Sequence, residues 1–244
     1  MCELFGLSAH RPLAGWELPL AAFRDRGGGA ADNPDGWGIA WRVGAGFQLE
    51  KEAAPACSSA LFAEMLRTWR GDLAIAHVRK ARFPPINTPA NTHPFLQDCC
   101  ARRWAFAHNG LVPDVVALET ASDGRVCRPE GETDSEFAFC HLLAQVTPRF
   151  GTPGWLDGLS RTSGKIARLG QFNFLLSDSE HLIAYGHDRL HYLESAVGVV
   201  LIATEPLSHH AGWTPFAPGE LRIYRDGRRI QLSRILTRPD PTWP

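Results

Sequence analysis

The sequence predicts an α+β protein dominated by strands. Three observations carry this expectation. Strand-like runs joined by tight turns recur along the chain, two stretches have helical spacing, and 244 residues suit one large mixed-sheet domain or two small ones.

The elements read as follows, in order. Cys2 to Ala9 is apolar with β character and reads as a strand that His10-Arg11-Pro12 breaks. Residues 18–24 read as a short helix with Leu20, Ala21 and Phe23 turned inward. Arg26-Gly27-Gly28-Gly29 is a polar loop; it lacks the Gly-Lys-Ser/Thr ending of a phosphate loop, so its glycines read as backbone latitude. Asn33-Pro34-Asp35-Gly36 reads as a turn, because Pro sets φ and Gly takes the awkward position. Trp37 to Trp41 and Phe47 to Lys51 then read as a hairpin around Gly44-Ala45-Gly46, with core packing as the ordinary role of its tryptophans. From Ser58 to Trp69, Leu61, Phe62, Met65, Leu66 and Trp69 share one helical face, and Ser58 or Ser59 can cap it.

Leu73 to Arg79 reads as a buried strand, and residues 82–91 as a proline-rich loop. Trp104 to Gly110 reads as a strand running into a turn. Phe137 to Val146 reads as a helix opened by a Thr133/Glu136 capping box. Residues 172–178 and 181–185 read as a hairpin. Strands at 191–193, 198–204 and 221–224 follow, then a turn at Asp226-Gly227 and a return at 230–232. Residues 237–244 read as a surface tail of a domain spanning 1–244.

Composition narrows the function. Hydrophobic content of 44% is that of an ordinary soluble domain, and the net charge of −1 leaves no basic stripe for nucleic acid or an anionic membrane. Apolar stretches are short, which argues against a spanning helix, and the start lacks the plan of a signal peptide. The expectation is a cytoplasmic protein whose six cysteines are reduced thiols. No C-x-x-C pair or helical His/carboxylate set points to a metal, and no cofactor motif is present; Cys57, Cys99, Cys100, Cys127 and Cys140 read as packing residues.

Four places carry chemistry. Cys2 follows Met1 directly, so removal of Met1 exposes a thiol and an α-amine on one residue. Such an amine has an unperturbed pKa of about 7.7–8.0 and can act as base for the thiol. The plain alternative is a small buried Cys at the start of a core strand. Arg79 ends a buried strand and needs a partner: either an internal Asp or Glu, or a ligand carboxylate held by its two-pronged fork. Asn109-Gly110 offers an amide and an unhindered N–H that could hold an oxyanion, and as a bare dipeptide it equally reads as a turn. Asp134, in the first turn of its helix, suits the helix dipole and can also hold an ammonium.

Taken together, these pieces resemble one family. Met1-Cys2, Asp35-Gly36-Trp37-Gly38, His77-Val78-Arg79, Asn91-Thr92-His93-Pro94-Phe95, His108-Asn109-Gly110 and Thr133-Asp134-Ser135-Glu136 occur in the order seen in class II glutamine amidotransferase domains, which are N-terminal-nucleophile hydrolases. The likeness is closer to the stand-alone YafJ-type subgroup, which the 26–29 loop, residues 173–178 and Ile202 to Leu207 also match. The resemblance implies a four-layer αββα sandwich of two antiparallel sheets. It implies Cys2 as nucleophile, Asn109 and Gly110 as oxyanion hole, and Arg79, Asp134 and His93 as substrate-binding residues. The implied reaction cleaves the side-chain amide of glutamine, or of a γ-glutamyl compound, through a thioester.

The chain departs from the pattern after Arg79, where Lys80-Ala81-Arg82 lacks the usual Ala-Thr. No synthase domain follows, so the protein would be either a free-standing amidohydrolase or one that passes ammonia to a separate synthase or ligase. The competing reading is a non-catalytic regulatory or glutamine-binding subunit that keeps the pocket.

Overall fold

Side-chain alternation along the first strand organises the molecule. The computed structural model describes residues 1–82, 85–147, 150–209 and 212–234. In it, β1 (Glu3–Ala14) pairs antiparallel with β4 (Arg70–Val78) on one side and β10 (Val199–Ala203) on the other. Beyond β4 lie β2 (Trp37–Val43) and β3 (Gly46–Glu52); beyond β10 lie β9 (His191–Ser195) and β11 (Thr214–Pro215). A second antiparallel sheet runs in the order β13 (Arg228–Arg234), β12 (Glu220–Arg225), β8 (Leu182–Gly186), β7 (Gln171–Ser177), β6 (Arg102–Leu111) and β5 (Phe95–Cys99).

Successive strand residues point to opposite faces. Leu4, Ile75, Val200 and Ile202 of the first sheet therefore meet Ala105, Ala107, Leu175 and Ala184 of the second in a dry middle layer. Phe5, Leu7, Trp37 and Ile39 point the other way, onto α1 (Leu20–Asp25) and α2 (Ala60–Thr68), where they pack with Phe23, Phe62 and Met65. Phe106, Phe172, Phe174 and Tyr185 of the second sheet pack with residues of α4 (Asp134–Val146) and α5 (Trp155–Ile166), beside α3 (Val115–Thr120). The result is the expected helix–sheet–sheet–helix sandwich. Both tryptophans of the hairpin are core: Trp37 packs on Phe62 in a tilted pair with ring centroids 4.7 Å apart, and Trp41 meets Trp69 edge-on at 6.5 Å.

Several local expectations change. His10-Arg11-Pro12 does not end β1; the backbone stays extended to Ala14 while its pairing with β4 slips between Ser8 and Leu13, and residues 10–12 face solvent. Ala21 is exposed, and Leu20 and Phe23 alone are the buried residues of α1. Ser59, not Ser58, caps α2, its Oγ accepting from Phe62 N at 3.0 Å. Only half of the Thr133/Glu136 box forms: Thr133 Oγ1 accepts from Glu136 N, but the Glu136 carboxylate turns back to the N–H groups of Glu130 and Gly131. Cys127 and Cys140 are joined in a disulfide, 5.6 Å apart at Cα, so the expectation of six reduced thiols does not hold. Compartment alone could not foresee it, because the bridge depends on where the 121–133 loop lies against α4. Cys100 is exposed in a turn with φ 56, not packed.

α5 went unread because its inward face is built from Ser160, Thr162, Ser163 and Gly164 beside Leu159 and Ile166. Those residues are poor helix formers and blur the apolar stripe. The expected tail over 237–244 lies outside the described residues.

The middle layer holds one polar anomaly. His77 follows Leu73 and Ile75 on the face of β4 that looks inward, and its ring packs against that of His93, tilted, with centroids 4.2 Å apart. All four ring nitrogens lack a hydrogen-bond partner in the protein. Burial drives His77 down to about 3 and holds His93 well below the ordinary histidine value. The unfolded chain takes up protons near pH 6.5 that the folded chain refuses, so this stability is complete above about pH 6.5 and is lost as pH falls toward 3. Between pH 7 and pH 5 His77 alone is expected to remove about 2 kcal/mol of unfolding free energy. Urea titrations at both pH values should show a smaller loss for His77→Gln than for the native chain. An equal loss in the two proteins would rule out this source of acid sensitivity.

Candidate active site

The inter-sheet faces of four strands converge at one end of the sandwich. Side-chain parity carries Cys2 and Leu4, Ile202 and Thr204, Ala107 and Asn109, and Asn173 and Leu175 toward the same layer. There the Asn109 amide donates from Nδ2 to the carbonyl oxygen of Cys2 and, at 3.2 Å, to Thr204 Oγ1. Cys2 and Asn109 are separated by 107 residues in sequence and meet only because the two sheets face each other.

Asn109-Gly110 is not a turn. Both residues lie within β6, opposite Asn173 and Phe172 of β7. Gly110 has φ 145, and a Cβ there would collide with the Gln171 carbonyl. Any side chain would push β6 and β7 apart beside Asn109, which accounts for glycine at this position.

The Cys2 thiol rests on the main chain just past β4. Lys80 N donates to Sγ at 3.2 Å, and Sγ stands 3.4 Å from Lys80 O. The unusual Lys80 therefore meets the thiol through its backbone, while its side chain reaches Asp32 at 2.6 Å in solvent. This is why the departure after Arg79 leaves the thiol environment intact. Burial pushes the Cys2 thiol above the ordinary cysteine range, and the Lys80 N–H, the chain N-terminus and Arg79 offset that only in part. A thiol so placed needs a base. In this chain the amine of Cys2 is still tied up in the peptide bond to Met1.

Arg79 has no carboxylate within ion-pair distance among the described residues, so the internal salt bridge weighed from the sequence is not formed. Its Nη1 donates to Asn87 Oδ1 at 2.8 Å and to the Asp35 carbonyl at 3.4 Å. Asn87 in turn donates to Asp35 Oδ1 at 3.0 Å, and Asp35 Oδ2 accepts from Ala81 N at 2.8 Å. Burial lowers the guanidinium pKa, with Cys2 and Asp35 opposing it. A buried cation whose hydrogen-bond partners are an amide oxygen and a carbonyl oxygen can accept a carboxylate from outside.

Asp134 comes to the same end by way of β6. His108 Nε2 donates to Gln171 O at 3.1 Å, which leaves Nδ1 to accept from Ser135 Oγ at 2.9 Å and ties α4 to β6. Burial lowers the His108 pKa, in keeping with this neutral tautomer. Asp134 Oδ2 then accepts from Val112 N at 2.7 Å, and Oδ1 has only Ser135 Oγ, at 3.5 Å. One carboxylate oxygen is thus held in place and the other is free to meet a cation.

His93 is placed differently. It is 4% exposed, packed between the tilted rings of His77 and Phe95, with its carbonyl against Gly38. It supports the β4 side of the layer from within, and none of its ring contacts is with Cys2, Arg79, Asn109 or Asp134.

Three residues of the site went unread. Asn87 sits on Arg79, Thr204 sits on Asn109, and Asn173 Nδ2 donates to the Asn109 carbonyl at 3.3 Å. The signals in the sequence were Asn173 itself, a lone amide between Phe172 and Phe174, and the place of Asn173 and Thr204 within the two later stretches that resemble the subgroup. Among the described residues no group of three or more His, Cys, Asp or Glu could hold a metal, and no helix is long and apolar enough to cross a membrane. A concavity lined by Thr152, Trp155, Asp157 and Gln231 at the start of α5 contains none of the candidate residues.

Comparison with known proteins bears on the family and the fold. The family model described as "Glutamine amidotransferases class-II" matches residues 1–198. The YafJ protein of Escherichia coli strain K12 is 32% identical over 261 residues, covering 94% of this chain and 100% of that one. The protein MJ1515 of Methanocaldococcus jannaschii is 34% identical over 271 residues, covering 97% of this chain and 73% of that one. A crystal structure of a predicted glutamine amidotransferase from Pseudomonas aeruginosa superposes with a TM-score of 0.68 at 29% identity, covering 94% of this chain and all of that one. The glutamine phosphoribosylpyrophosphate amidotransferase of Bacillus subtilis, at 20% identity, shares the fold with a TM-score of 0.69; this chain covers 49% of it. The four-layer sandwich is that of the N-terminal-nucleophile hydrolases, and the chain belongs to the class II glutamine amidotransferases.

Proposed function

We propose that the chain, once Met1 is removed, hydrolyses the side-chain amide of glutamine or of a γ-glutamyl compound. The observation that carries this reading is the convergence on Cys2 of the Asn109 amide, which donates to its carbonyl, and of the Lys80 N–H, which donates to its thiol, next to an Arg79 that has no carboxylate within ion-pair distance among the described residues. The freed α-amine of Cys2 takes the thiol proton, and Sγ attacks the amide carbon. Negative charge grows on the amide oxygen and is met by Asn109 Nδ2 and the Gly110 N–H. The intermediate collapses as the amine returns the proton to the leaving nitrogen, so ammonia departs and a thioester remains. Water then attacks the thioester and releases glutamate and the thiol. Arg79 holds the α-carboxylate, displacing the Asn87 amide, and Asp134 Oδ1 holds the α-ammonium.

The acceptor for ammonia is a separate synthase or ligase. The candidate lid is the 26–33 loop together with the described residues of the 82–91 loop; Asp32 of the first loop pairs with Lys80 at 2.6 Å, and Phe83 and Pro84 lie outside the described residues. The test is glutamate release by the purified chain with Met1 shown absent by intact mass, on glutamine, on a panel of γ-glutamyl amides, and with cell-extract fractions added. Slow turnover of free glutamine that rises with a partner fraction or a larger amide is expected. Fast turnover of free glutamine alone would remove the partner, and full activity with Met1 retained would remove the amine as base. No turnover of any amide by the processed chain would favour a glutamine-binding subunit.

Recognition makes a separate prediction. Arg79→Lys keeps the charge but loses the fork, and Asp134→Asn loses the charge while keeping an acceptor for Val112 N. Each is expected to raise KM for glutamine by about 10- to 100-fold, the equivalent of one charge-assisted hydrogen bond, with kcat changed less. Steady-state kinetics on both variants measure this, and an unchanged KM would take the residue out of the site.

A further inference from the structure

An oxyanion donor works only if it is already aimed when charge develops, and a misplacement of about 1 Å can cost about 100-fold in rate. Asn109 stands on β6 of one sheet, while Cys2 precedes β1 of the other. No backbone ladder spans the gap between the sheets, so something else must set their separation and the turn of the amide.

Thr204 occupies the position that does both. It directly follows β10, is 1% exposed, and its Oγ1 accepts from Leu4 N at 2.9 Å and from Asn109 Nδ2 at 3.2 Å. One oxygen atom therefore grips the strand carrying the nucleophile and the amide carrying the donor. Because it accepts from Asn109, it orients the NH2 end, not the carbonyl end, toward Cys2. The second Nδ2 proton is then directed at Cys2, where it meets the Cys2 carbonyl in the ligand-free chain. Threonine is stiff at χ1, which suits a fixed reference point.

Asn173 holds the other end. Its Nδ2 donates to the Asn109 carbonyl at 3.3 Å and to Asp188 Oδ1 at 2.7 Å, and its Oδ1 accepts from the N–H groups of His187, Asp188 and Arg189. The main chain of Asn109 is thereby tied to the 187–189 loop, and its side chain to Thr204.

We infer that Thr204 is a positioning residue for the reaction, setting the Asn109 amide against Cys2 across the two sheets, with Asn173 fixing the Asn109 backbone. This rests on the amide-hydrolase reading above. Its signature is a loss confined to the step in which an oxyanion forms. Thr204→Val keeps the shape and removes the hydroxyl oxygen; Thr204→Ser restores it.

The experiment measures kcat and KM for glutamine, and alkylation of Cys2 by iodoacetamide, which forms no oxyanion, on the processed native chain and on the Val, Ala and Ser variants. For Val the expected result is a fall in kcat of about 10- to 100-fold, below the loss seen when an oxyanion donor is removed outright. KM and alkylation rate should stay within about twofold, and Ser should recover most of kcat. If Val does not fold, Ala supplies the same comparison. An unchanged kcat in folded Val or Ala would overturn the inference. So would parallel falls in kcat, alkylation and melting temperature that Ser does not reverse, since these would mark a merely structural threonine. A native chain without amidase activity would overturn both this inference and the reading beneath it, whereas an active native chain with insensitive variants would overturn the inference alone.

Discussion

Cys2→Ala is expected to abolish glutamate release, by about 10,000-fold or more, as when a nucleophile acting in a catalytic unit is removed. The reason is local. The thiol is held between the N–H and carbonyl of Lys80, and burial keeps it above the ordinary cysteine range, so in the proposed mechanism its reactivity depends on a base supplied by the same residue. A diazo-ketone analogue of glutamine should label Cys2 in the processed native chain and nothing in the variant. Cys57, Cys99 and Cys100, the other free thiols, should be spared because none adjoins Arg79 and Asn109. The melting temperature of Cys2→Ala should stay close to native, since the side chain is small and half-buried. Labelling centred on Cys99 or Cys100 would show that the nucleophile has been misassigned.

Asn109→Ala is expected to lower kcat by about 100- to 1,000-fold, the cost of one oxyanion donor, with KM for glutamine nearly unchanged. The side chain meets the reacting oxygen only when that oxygen becomes anionic, so ground-state binding loses little. The variant also strips Thr204 of a partner and leaves a small gap in the middle layer. Some loss of stability is therefore expected, and a denaturant titration must show that the variant is folded at the assay temperature. A rise in KM equal to the fall in kcat/KM would mean that Asn109 binds the substrate uniformly and does not serve the transition state.

Much of this architecture was legible along the chain. The hairpin at residues 37–51, the buried strand ending at Arg79, the helix face of Phe62 and Met65, and the apolar strand from Cys2 to Ala9 all follow from apolar runs, spacing and turn residues. Where spacing was the evidence, it failed in recognisable ways. α5 turns serine, threonine and glycine toward the core, so no apolar stripe marks it. α3 is 6 residues long, too short to show a period. Asn-Gly reads as a turn from local propensity, but pairing with Asn173 and Phe172 keeps Asn109 and Gly110 in the strand.

By itself the sequence determined the secondary structure of most strands, the order of the motifs and the residues able to do chemistry: a thiol at position 2, a buried arginine, an amide next to a glycine, a carboxylate opening a helix. Those are properties of residue type and near-neighbour spacing, which act over a few residues. The tertiary structure alone decided that Asn109 faces Cys2, that Arg79 has Asn87 and not a carboxylate beside it, that His93 lies within the layer, and that Cys127 meets Cys140. Each of these joins segments through the packing of two sheets or of a loop on a helix. Which atoms then touch depends on strand register and sheet separation, and no local pattern encodes either.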